Sequence, residues 1–406
     1  MTPASPSAGA TAAPRPSHAL AALALALLLG LQPVTTDVYL PALPLLTREL
    51  QAPLSGAQLT MSALLLAFGI AQLVWGPIAD RVGRRPVLLA GLALYTLASV
   101  GAMAAGSIGW LIAWRALQGA CLAAAVVVAR AMVRDLYEPH EGAQVMALAL
   151  SGLGVIACLG PLVGGFVTAA WGWRAALAVV ALCGAATFAF IAWRLPETLA
   201  HKNPQATDPR RLLPAWREIA RHPVFLAWAG LTAFSYGGLF VFLAGSSFVY
   251  IGMLGLSPAA YGAVMASGSI AYLAGTVVCR RWVPRLGMAG AVKRASWITL
   301  AAGAMILGAA LLGVHAVWAV LLPQWVFCFA HGVHQPCSQA GVTGPFPRAA
   351  GAASALAGFV LALIAFAVGL WLARALAGSV LPFAATLAFW CAAIAVVARG
   401  PVQRLA

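Results

Sequence analysis

Gly76-Pro77-Ile78-Ala79-Asp80-Arg81-Val82-Gly83-Arg84-Arg85 is the stretch on which the reading of this chain turns. The apolar run 57–78 leads into it and a second, 86–106, leads out. Each run is long enough to cross the ~30 Å hydrocarbon core of a bilayer. The decapeptide is therefore a tight turn between two membrane spans. Its three arginines place that turn on the cytoplasmic side, where Lys and Arg accumulate. That rule leaves Asp80 and the glycines Gly76 and Gly83 unexplained. Glycine permits close helix approach, and an acid among arginines suits a gating latch that Arg130 or Arg134 would complete.

The rest of the chain extends the pattern. Of 406 residues, 63% are hydrophobic and 8% charged, with a mean hydropathy of +0.93. Soluble domains carry about a quarter charged residues, so neither a water-soluble core nor a disordered chain fits. Twelve spans are expected, at 19–42, 57–78, 86–106, 109–131, 143–168, 172–193, 224–246, 258–279, 293–313, 315–338, 350–373 and 379–399. With the N-terminus inside, twenty of the 24 Lys and Arg fall in cytoplasmic segments. Arg48, Arg174 and Arg374 fall outside, and Arg115 lies within a span. The net charge of +15 is thus topological and does not point to nucleic acid. It predicts a multi-pass protein with both termini in the cytoplasm.

Residues 1–17 read as a disordered cytoplasmic tail, and 18–194 and 223–400 as two six-helix halves. Between them, 195–222 is a proline-rich, basic cytoplasmic linker, and 401–406 is a second tail. Two halves of equal span number are a usual construction of secondary transporters. Arg280-Arg281-Trp282-Val283-Pro284-Arg285-Leu286-Gly287 is a worn copy of the first turn, with Pro284 where the acid stood. The expected fold is all-α and integral to the membrane, twelve helices in two halves around a central cavity.

Charges inside a span are costly and mark function. Asp37 and Arg115 are the two, each about 8–9 Å from the outer end of its expected span at ~1.5 Å per residue. A carboxylate withdrawn from water holds its proton, and a nearby cation opposes that. Together they suit a group that loads and unloads protons. Tyr39, Gln118, Phe234 and Tyr236 are candidate linings of a substrate cavity. In span 5, Gly160 and Gly164 form a small-residue face beside Pro161 and Gly165, suited to close packing of a bent helix. His331 and His334 share a face of span 10, where polar contacts are a better reading than a proton relay. The seven cysteines include no CxxC pair and read as apolar filler, so no metal site is expected.

These motifs resemble the major facilitator superfamily over essentially the whole chain. Gly76–Arg85 is similar to its loop 2–3 signature, and Arg115-Ala116-Leu117-Gln118-Gly119 to its span 4 signature. Gly160-Pro161 with Gly164-Gly165 resembles its antiporter signature. Asp37-Val38-Tyr39-Leu40-Pro41-Ala42-Leu43-Pro44, Arg130–Asp135 and Gly351–Leu356 look like the Bcr/CflA group of bacterial drug exporters. The resemblance implies a proton antiporter of the inner membrane that exports a hydrophobic or amphiphilic small molecule. Asp37 would be its proton carboxylate and Arg115 its partner, with no cofactor and a monomeric chain. Leu29 stands two turns before Asp37, where some related exporters carry a second acid, so neutral or anionic amphiphiles fit better than cations. The alternative is a metabolite exporter built alike, for an amino acid or a sugar. An enzyme is disfavoured, because HExxH and Gly-x-Ser-x-Gly patterns are absent, and with no P-loop ATP is not the expected energy source.

Overall fold

The computed structural model describes residues 17–376 and 379–405, and among these it is wholly helical. Of the expected tail 1–17, only Ser17 falls inside the described residues; its hydroxyl accepts from the Leu20 amide and caps α1 (His18–Asp37). The first half continues through the short α2 (Leu43–Glu49), α3 (Leu54–Val82), α4 (Arg84–Met103), α5 (Ile108–Leu136), α6 (Pro139–Trp171) and α7 (Trp173–Arg194). The segment read as a linker holds a helix, α8 (Pro209–Arg221), started by Pro209 and capped by the Asp208 carboxylate. The second half comprises α9 (Pro223–Ser247), α10 (Pro258–Leu311), α11 (Val317–Thr343), α12 (Ala350–Ala375) and α13 (Leu381–Arg399), followed by the short α14 (Pro401–Arg404).

Eleven helical segments are long and apolar enough to cross a membrane, and one of them crosses twice. The 54 residues of α10 would span about 80 Å if straight, far more than a bilayer core. The chain turns back at Gly287, whose φ of 68° and ψ of 171° lie outside the helical region. That conformation is open essentially to glycine alone. Twelve crossings result, as the hydropathy predicts. Replacing Gly287 with valine is expected to lower the thermal stability of the purified protein by roughly 1–3 kcal/mol. Unfolding followed by intrinsic fluorescence would read the loss.

The first span differs from the expected 19–42. Helix α1 stops at Asp37, a 3-10 turn covers Leu40–Ala42, and α2 carries the chain on to Glu49. Pro41 and Pro44 cause the break, since neither has the N–H that an i→i−4 bond requires. The crossing therefore ends near Glu49, where Trp173 and Arg174 donate to the Glu49 carboxylate. Arg174 also donates to the Ala105 carbonyl, which marks the same level on the neighbouring spans. At ~1.5 Å per residue, Arg115 lies about 10 Å along α5 from its first residue, Ile108, while Asp37 closes α1 and the broken segment up to Glu49 follows it. The expected outer end of the first span, residue 42, therefore falls seven residues short of Glu49.

The halves meet along α3 with α12 and α6 with α10. Gly262 of α10 rests on the Pro161 carbonyl of α6, and a Cβ on Gly165 would stand 2.5 Å from the Pro258 carbonyl. Lipid tails supply no hydrophobic drive between helices, so small residues that let backbones touch carry such crossings. The halves also touch at both ends. Gln58 donates to the Ala244 carbonyl at 3.4 Å on the side away from the termini. Arg130 donates to Ser354 at 3.0 Å on the terminal side.

Candidate functional site

The break after Asp37 builds the site. The Tyr39 amide bonds the Thr36 carbonyl at 3.2 Å, so the Thr35 carbonyl lacks the i+4 donor a continuous helix supplies. Arg115 takes that place, donating from Nη1 and Nη2 at 3.2 and 3.1 Å. Nη1 also donates to Gln118 Oε1 at 2.7 Å, and Nη2 approaches Met61 Sδ at 3.3 Å. The guanidinium lies 4.2 Å from the centre of the Tyr39 ring. Arg115, Tyr39 and Gln118 are fully buried, and Arg115 Nε has no partner.

Proton directions in this cluster follow from counting hydroxyl hydrogens. Thr35 donates to the Leu31 carbonyl, so Tyr95 donates to Thr35 at 2.5 Å. Thr60 donates to the Ala57 carbonyl, so Tyr39 donates to Thr60 at 2.8 Å. Ser99 donates to the Tyr95 carbonyl and accepts from Gln118 Nε2 at 2.6 Å. Every donor chain ends on the main chain. The cation is held by a carbonyl, an amide and a ring face, without a carboxylate.

Asp37 stands apart from this network. It is half-buried and accepts 2.8 Å from the Thr36 hydroxyl. That hydroxyl also lies 3.2 and 3.3 Å from the Gln32 and Pro33 carbonyls, so its one proton has competing acceptors. Arg115 bonds the carbonyl two residues before Asp37, but the two side chains form no ion pair among the described residues. Gly160 of α6 faces the Asp37 Cβ, and Gly164 faces the Val38 backbone. The turn that follows, Leu40–Ala42, packs against α9 and α10, so the second half borders this side. Of the expected cavity residues, Tyr39 and Gln118 are tied into the arginine cluster. Phe234 turns to Trp390 instead, with ring centres 5.5 Å apart. His331 bonds Ser235 at 2.8 Å and His334 bonds Thr299 at 3.0 Å, each within the second half.

The loop Gly76–Arg85 is wired differently from the expected latch. Asp80 pairs with Arg84 at 2.5 Å, one helical step away across the Gly83 turn, and not with Arg130 or Arg134. Arg84 Nε bonds Asp135 of α5 at 2.9 Å, so Arg84 is the centre of the latch. Arg81 donates to Thr207 of the connection at 2.8 Å. Arg85 caps α7 by donating to the Ala192 and Leu195 carbonyls, both at 2.8 Å. Arg130 and Arg134 reach the other half, at Ser354 and over Gly351. Gly76 faces Val127 with ordinary room, so it marks no tight crossing.

Glu197 is the loop residue that sequence reasoning missed. Its two carboxylate oxygens accept from the Arg84 and Arg85 amides at 3.0 and 3.2 Å, capping α4 where glycine opens the turn. Glu197 is one of three acids in the stretch 195–222, so nothing in the sequence set it apart. Glu197→Gln is expected to destabilise the protein by about 1 kcal/mol through loss of charge at a helix N-terminus. Thermal unfolding in detergent would show it, and an unchanged midpoint would dismiss the cap. Thr35, Tyr95 and Thr60 were also missed, because neutral polar residues occur throughout the spans without a distinguishing pattern.

The model of the Major Facilitator Superfamily matches residues 25–370. Multidrug resistance protein D of Escherichia coli (strain K12) is 32% identical over 337 residues, covering 83% of this chain and 84% of that protein. A bicyclomycin resistance protein homolog of Haemophilus influenzae is 27% identical over 379 residues, covering 92% and 93%. The solved structure of a D-xylose-proton symporter superposes with a TM-score of 0.74 at 17% identity, over 94% of this chain and 97% of that one.

Proposed function

This chain belongs to the Major Facilitator Superfamily, and from that premise we propose that it is a proton-coupled antiporter exporting a hydrophobic or amphiphilic small molecule. Its relatives named for multidrug and bicyclomycin resistance support drug efflux as the task. Export proceeds by alternating access, across a bacterial inner membrane with both termini in the cytoplasm, and needs no enzyme step or cofactor. The observation that carries the reading is the half-buried Asp37 with a single hydrogen-bond donor, beside the Leu40–Ala42 turn that packs on the second half. One buried cation, Arg115, is anchored on the Thr35 carbonyl without a carboxylate of its own.

Protonation of Asp37 and substrate occupancy exclude one another in this scheme, which makes the exchange obligatory. An inward proton supplies about 2.3 kcal/mol per 100 mV of membrane potential. At ~1.4 kcal/mol per factor of ten, one proton supports a concentration ratio of several tens-fold. Arg115 favours neutral or anionic amphiphiles as cargo. The Arg130–Ser354 contact joins the halves on the terminal side and releases when that side opens, while Asp80–Arg84–Asp135 ties α3, α4 and α5 together within the first half.

The test is substrate-triggered proton release from proteoliposomes with a panel of antibiotics, repeated with Asp37→Asn. The variant is expected to bind the compound and release no proton. Coupled exchange that survives in the variant would remove Asp37 from the mechanism.

A further inference from the structure

Helix α8 presents two faces to two surroundings. Arg210, Arg217 and Arg221 fall at i, i+7 and i+11, which aligns them in one stripe. Leu212, Trp216 and Ile219 fall at i, i+4 and i+7 on another. Ile219 is 2% exposed, and this inner side rests on α9 and α12. Leu213 lies between the stripes and is 60% exposed. The three arginines are exposed as well, and none of their side chains makes an ion pair or hydrogen bond among the described residues. Leu213 thus borders three exposed, unpaired cations on the outer side of the helix.

The location of α8 says what covers it. Only His222, at φ −71° and ψ 123°, separates Arg221 from Pro223, where the span α9 begins. A residue held extended before proline cannot pass a helix straight through. Helix α8 therefore turns away from α9 at the point where the chain enters the bilayer, and leans toward α12. A basic stripe bordering an apolar one at that level matches the surface of an anionic leaflet.

We propose that α8 is an interfacial helix that binds anionic phospholipid headgroups on the side of the termini. Arg210, Arg217 and Arg221 engage phosphates, for which the guanidinium fork is suited. Leu213 enters among the upper acyl carbons. A free phosphate would satisfy the arginines but leave Leu213 in water, so the paired features favour lipid. Each arginine near such a surface contributes about fivefold in affinity. The inference stands on the helix alone and is independent of the cargo or of Asp37.

Full-length protein in nanodiscs of phosphatidylcholine, with and without phosphatidylglycerol, tests this by hydrogen–deuterium exchange of the peptide 209–221. Exchange is expected to slow several-fold in the anionic discs. The slowing should vanish in the triple variant Arg210→Gln, Arg217→Gln, Arg221→Gln and shrink in Leu213→Gln. Peptides from α4 serve as the folding control. Equal exchange in both lipids overturns the proposal. So does inorganic phosphate added to phosphatidylcholine discs, if it slows exchange as much as the anionic lipid.

Discussion

Lysine in place of Arg115 is expected to cut the transport rate by about a hundredfold or more while the protein still folds. The guanidinium spans one carbonyl with two N–H groups, reaches Gln118 with one of them, and lies over the Tyr39 ring. An ammonium keeps the charge but offers a compact point with no fork and no planar face. It leaves the Thr35 carbonyl or the Gln118 oxygen unpaired, each a buried polar group costing about 1–3 kcal/mol. The turn that carries Asp37 then loses its fixed anchor two residues away. Initial rates in proteoliposomes, with thermal unfolding as the control, would measure the effect. A near-native rate would mean that charge alone suffices at this position.

Valine at Gly262 is expected to reduce transport to background with the protein still expressed and monodisperse. A side chain there strikes the Pro161 carbonyl of α6, a backbone atom that cannot rotate aside. Because α6 and α10 belong to different halves, the strain is relieved by separating the halves and not by unfolding either one. The reciprocal contact at Gly165 with Pro258 opens in the same movement. Each half keeps its own packing, so size-exclusion profiles should stay unchanged. Uptake by inverted vesicles reads the loss, and Gly262→Ala should fall between the two. Wild-type uptake with valine would show that the crossing need not close during the cycle.

The number of crossings was legible in the sequence because burial in lipid is a property of composition, and composition needs no partner. The two charges within the spans were legible for the same reason. The end of the first crossing was not, since Pro41 and Pro44 break the first helix without ending the crossing. The span read as 19–42 therefore stopped a full helical turn and more short of Glu49. Which partner each charge chooses was also hidden. Asp80 has Arg84, Arg130 and Arg134 as candidates by position along the chain, and the Gly83 turn decides for Arg84. Helix α8 was obscured by its prolines: Pro209 starts the helix, and Pro214 is tolerated on an exposed face. The segment still connects the two halves, and its prolines start and decorate a helix within it.

The anchor of the buried cation has a hereditary side. The Thr35 carbonyl belongs to the main chain, so no codon change at position 35 can delete it. Alanine there would forfeit the Tyr95 hydrogen bond and still present the same oxygen to Arg115. Losing that oxygen as an acceptor takes a change that mends the helix, such as replacement of the downstream prolines. A lineage adapting to new compounds is thus free to vary the side chains around Asp37, Tyr236 and Tyr261. Through that drift the arginine keeps its main-chain anchor, to which Gln118 and Tyr39 add side-chain contacts of their own.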